Sequence, residues 1–163
     1  MSPHEDEPRV TLSLFEKLTN EKPGLTEPTP SLRSATVSEL RESVVRHLEV
    51  LLNTRRSDAD IDPAFEESNK SVLTYGVADF TSLLLANTFD REGLRRSIER
   101  SIRLFEPRLT HVELTMEEWK PEQFGLHFRI SALLRVEPQN EPVLFDAVLA
   151  KDTRRFLVTG GRA

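Results

Sequence analysis

The sequence predicts an α+β domain in which helices pack on one face of a small antiparallel sheet of three to four strands. Two observations carry this. Apolar residues before position 108 recur at helical steps, and after it they alternate with polar residues at a period of two. The boundary is Glu106-Pro107-Arg108, where Pro107 cannot donate a backbone hydrogen bond and pushes Glu106 out of the helical region.

Residues 1 to 9 form a polar, acidic tail, expected to be disordered. Val10 to Leu18 places Leu14, Phe15 and Leu18 at helical spacing, but a helix this short needs a surface to dock on. Residues 20 to 34 hold Pro23, Gly24, Pro28 and Pro30 and read as a linker, so the division expected is a tether over 1–34 and a single domain over 35–163.

Thr36 and Glu39 form a capping box, and Val37, Leu40, Val44, Leu48 and Leu51 continue a helix to about Asn53. His47 lies beside that stripe. A lone helical His without further ligands is ordinarily a partly exposed surface residue. Residues 54 to 70 are polar, with Asp62-Pro63 as a turn, and read as a loop. In Ser71 to Leu85, Gly76 suits a turn where a side chain would collide, Tyr75 an anchor beside it, and Asp79 the cap of a short helix through Leu85.

Arg91 to Leu109 contains the helix around which the chain is organised. Leu94, Ile98, Ile102 and Phe105 form its apolar stripe, and Glu92/Arg96 and Glu99/Arg103 pair at i,i+4 on its wet faces. The strands follow. Val112, Leu114 and Met116 make one alternating set, Leu126 to Val136 a second, and Val143, Phe145, Ala147 and Leu149 a third. Pro138 to Pro142 and Lys151 to Arg155 are turns, and Phe156 to Thr159 is a last short strand. That strand, Phe156, Leu157, Val158 and Thr159, has no successor, so it is the candidate open edge, with Leu157 the test position if its backbone donor faces outward.

Composition narrows the function. The chain has 163 residues, 37% hydrophobic and 30% charged, with a formal net charge of −5, which argues against a nucleic-acid-binding surface. The helix from Arg91 is the basic exception, with six Arg against three Glu through Arg108. The absence of Cys removes disulfides and thiolate chemistry and fits a reducing compartment. No apolar run approaches the roughly 18 residues of a membrane span, so no direct membrane insertion is expected. Zinc-protease, phosphate-loop, serine-elbow and calcium-loop patterns are all missing. Glu106, Glu113, Glu117 and Glu118 are ordinary surface positions for a helix end and a wet strand face, and His111 and His127 lack a third ligand. Neither enzymatic activity nor a cofactor is expected.

Four ordered motifs carry a family resemblance: SLFEKL (Ser13 to Leu18), LLNTR (Leu51 to Arg55), SVLTYGVADF (Ser71 to Phe80) and IRLFEPRL (Ile102 to Leu109) before the strands. Together they resemble the TssE-type baseplate subunits of bacterial type VI secretion systems, a branch of the phage-baseplate wedge family sometimes labelled lysozyme-like. The likeness spans about residues 10 to 158. It implies a structural, cytoplasmic component at the baseplate docked on the inner membrane, attached to TssF, TssG and TssK and serving as the start point of the TssB/TssC sheath; the open edge at Phe156 to Thr159 adds the expectation that the sheath starts by strand addition. The alternative it carries is a peptidoglycan hydrolase. On the same resemblance Glu106, Pro107 and Arg108 match the family's wedge-contact motif. The other reading of these residues is an internal salt bridge that fixes the turn. Leu14, Phe15 and Leu18 fall in the leading motif, where Lys17 replaces an Arg common in relatives.

Overall fold

The structure, a computed structural model, describes residues 36–57, 61–62, 64–79, 87–117 and 125–161. The docking helix expected at Val10–Leu18, the linker after it and the short helix expected to run from Asp79 to Leu85 lie outside these residues or run out of them.

Among the described residues, two α-helices and four strands make two layers. Helix α1, Val37–Asn53, begins at the expected capping box: Thr36 Oγ1 accepts from Glu39 N at 3.2 Å while Glu39 Oε2 accepts from Thr36 N at 2.9 Å. Leu40, Val44, Leu48, Leu51 and Leu52 are all buried along it. Helix α2, Thr88–Phe105, starts three residues earlier than the charge pattern suggested, because Asn87 caps it by accepting from Phe89 N at 3.0 Å. Leu94, Ile98 and Ile102 are buried in the expected stripe, with Phe105 partly buried against the same core.

The strands are β1 (Leu109–Met116), β2 (Gly125–Leu134), β3 (Glu141–Ala150) and β4 (Phe156–Gly161). They form an antiparallel meander in the order β1-β2-β3-β4, so β1 and β4 are its edges. One face, from Phe128 and Ile130 to Phe145 and Ala147, is buried against the helices, α1 packing by β4 and α2 by β1. The period-two reading therefore holds, except at the start of β1. There Leu109 and Val112 are both buried although three apart, because a bulge places His111 at φ 52° and shifts the register between Thr110 and Glu113.

The stretch read as a loop after α1 has local order. Arg55 bridges Val77 in parallel, and short 3-10 turns occupy Ser68–Lys70 and Val72–Thr74. Gly76 is the residue that permits this bridge. Its φ is +106°, and a Cβ there would stand 2.3 Å from the carbonyl oxygen of Thr54. Asp79 pairs with Arg55 at 2.8 Å.

Candidate functional site

Pro107 ends α2, and the chain turns at once into β1. The turn is closed from inside. Glu106 is only 2% exposed, so its charge must be met within the fold. Arg108 meets it with two parallel bonds, Nε donating to Oε1 at 2.7 Å and Nη2 to Oε2 at 2.6 Å. The planar guanidinium fork matches the carboxylate, which a lysine could not do. Arg108 also reaches α1: Nη1 donates to Ser43 Oγ at 2.7 Å, and Nη2 lies 2.9 Å from His47 Nδ1, which acts as acceptor in this arrangement. One side chain therefore ties the end of α2, the start of β1 and the middle of α1.

A second wall stands behind this corner. Tyr75 meets Phe105 edge to face at 5.1 Å between ring centroids, and the Ser101 hydroxyl donates to Gly76 O at 2.6 Å. Burial, and then the nearby Glu106 charge, push the Tyr75 phenol above its ordinary value.

The sheet edges supply the other chemistry on the molecule. Residues of an antiparallel edge strand alternate between bonding their neighbour and facing outward. In β4, Arg155 O accepts from Ala150 N at 3.0 Å, so Arg155 faces β3 and Phe156 faces out. Phe156 is capped: its N–H donates to Asn53 Oδ1 and its carbonyl accepts from Asn53 Nδ2, both at 2.9 Å. By the same alternation Leu157 and Thr159 face β3, and Val158 and Gly160 face outward, bonded there by no described residue. Leu157, 58% exposed, thus directs its backbone donor inward, and a proline there would break the β3 ladder rather than probe the edge. In β1, the outward carbonyls of Val112 and Leu114 are bound by Arg103 and Arg95 of α2. Arg95 and Arg96 in turn hold the Glu92 carboxyl down to about 2.

Residues 38–139 match the family model of baseplate wedge protein gp25, 102 of the 163 positions. The chain belongs to the gp25 baseplate wedge family. No curated protein and no solved structure matches it. Membership makes it a structural component of a phage-baseplate-like assembly. The span matched in the wedge family runs from α1 through the Glu106 corner and β2, and stops before β3.

The wedge fold separates the residues singled out in the sequence. Glu106 is buried and internally bound, Pro107 is exposed, and the Arg108 side chain is 18% exposed. Leu14, Phe15 and Leu18 lie outside the described residues. His47, set aside in the sequence as a surface residue, is half-exposed and belongs to the corner, 3.6 Å from Glu106 Oε2. The signal for it was Ser43, a polar residue one turn earlier at a core-facing position that needed a partner. Among the described residues, no three His, Asp or Glu side chains are grouped to hold a metal ion, and no helix is long and apolar enough to cross a membrane.

Proposed function

We propose that this wedge-family chain is the TssE-type baseplate subunit of a bacterial type VI secretion system, joining TssF, TssG and TssK at the cytoplasmic baseplate and starting the TssB/TssC sheath by accepting a strand along β4. The observation that carries the strand-addition step is the pair of outward backbone positions, Val158 and Gly160, bonded by no described residue. On the wedge side, Leu14, Phe15 and Leu18 on a tether over 1–34 and the exposed Pro107 rim of the corner are the contacts. The buried Glu106 acts behind that rim, holding it in shape.

Enzymatic chemistry has no part in this function. Glu106 is only 2% exposed and is paired with Arg108 inside the fold, so it is not open to a substrate.

Gly160→Pro tests the proposal. It removes an outward donor and no core side chain, and the nearest atom to a Cβ at Gly160 is Val45 Cγ2 at 3.5 Å, an ordinary contact. Sheath assembly should be lost while co-purification with TssF and TssG is kept. Normal sheath extension on the folded variant would contradict strand addition along β4.

A further inference from the structure

Antiparallel edges left bare invite any chain with a free strand, including a second copy of the same protein. This sheet has two edges but its proposed partner needs one. The treatment of β1 differs from that of β4, and it comes from three side chains of one helix.

Arg103 donates to Val112 O from Nη2 at 2.7 Å and from Nε at 3.3 Å, and Arg95 Nη1 donates to Leu114 O at 3.3 Å. These carbonyls are two residues apart on the outward side of β1, the positions an incoming strand must use. The guanidiniums are themselves held. Glu99 lies between them in sequence and binds both, Oε2 to Arg95 Nη1 and Oε1 to Arg103 Nη2, each at 2.5 Å. Glu92 grips Arg95 from the other side through two bonds at 2.9 Å. The bulge at His111 adds to the effect by twisting the beginning of the edge out of register.

We infer that Arg95 and Arg103, clamped by Glu99, form a latch that closes the β1 edge to strand pairing and makes the sheet one-sided. An incoming strand would have to displace charge-assisted bonds at two neighbouring outward carbonyls, against donors that Glu99 and Glu92 hold in place. At β4 the plug found among the described residues is Asn53 on Phe156, and it stops short of Val158. The identity of the strand admitted at β4 rests on the proposed function above; the closure of β1 does not.

The test uses the full chain carrying Gly160→Pro, which removes an outward donor from β4. Sedimentation velocity compares this protein with the same protein carrying Arg95→Met and Arg103→Met, which keep apolar stems but lose the donors. The latch predicts self-association at least about tenfold stronger in the Met variant. A control, Arg96→Met with Arg100→Met, removes the same charge from α2 without touching β1, and should leave association unchanged. The inference is overturned if the folded Arg95/Arg103 variant associates no more strongly than its parent, or if the control associates equally. Where the double replacement unfolds, Glu99→Gln in the same background decides: a measurable rise supports the latch and none overturns it. Sheath assembly on Gly160→Pro alone reads the β4 proposal separately, so either idea can fail while the other stands.

Discussion

At the end of α2, Arg108 directs N–H donors to Glu106, Ser43 and His47, whereas along β4 the outward groups of Val158 and Gly160 meet no described residue. The corner is the more conspicuous in sequence, with a proline between two opposite charges. Yet its charges are consumed inside the chain. The edge is inconspicuous, a short run of ordinary β residues, and it is the edge that has hydrogen-bonding capacity left for a partner. A motif that stands out in sequence can therefore spend its charges on the fold and leave only a rim, here Pro107, at the surface.

The contrast breaks most readily at the corner. Arg108→Ala strands the carboxylate of Glu106 in the interior, and removing one partner of a buried pair costs about 3–5 kcal/mol. Urea denaturation of the isolated protein should show that loss. Unchanged stability, with weakened binding to TssF and TssG, would return Arg108 to the interface and erase the distinction between the two regions.

The edge is sharpened by a smaller change. Asn53→Ala removes the amide that caps Phe156 and should cost about 1 kcal/mol of folding stability. It also lengthens the free template by one outward position, so sheath recruitment should stay at or above that of the unaltered chain. Lost recruitment in the folded variant would mean that Asn53 itself is part of the docking surface.

The smallest effect is read at high pH. Tyr75 is the chain's one tyrosine, so phenolate absorbance reports it alone. Its midpoint should lie above 10.0, chiefly from burial and further from the Glu106 charge. Glu106→Gln should lower the midpoint by removing the second cause. Because the folded state favours the neutral phenol, this contribution to stability is complete below the unfolded phenol value and is lost as pH rises through the folded one. A midpoint indifferent to Glu106→Gln would mean that the charge does not reach the ring.

Most of the fold was legible because it depends on periodicity. The stripes of α1 and α2, the capping box at Thr36 and the alternation from Leu126 onward are local patterns that burial enforces. The β1 bulge was not, since nothing in Leu109-Thr110-His111-Val112 marks His111 for a positive φ. Nor was the direction of each backbone group on β4. That depends on the parity of pairing with β3, fixed by where the turn over 151–155 closes, and a shift of one residue would have turned Leu157 outward. At the corner, Glu106 and Arg108 were visible as a pair, but their partners Ser43 and His47 lie more than sixty positions away and only the packing of α1 brings them in.

Glu106 and Arg108 act on each other within the folded chain. A double-mutant cycle measures this directly, with Glu106→Gln, Arg108→Met and the pair compared by urea denaturation of the isolated protein. The expected coupling is about 1.5–3 kcal/mol, so that the second substitution costs far less once the first is made. Additive losses, each substitution costing the same alone as in company, would contradict it.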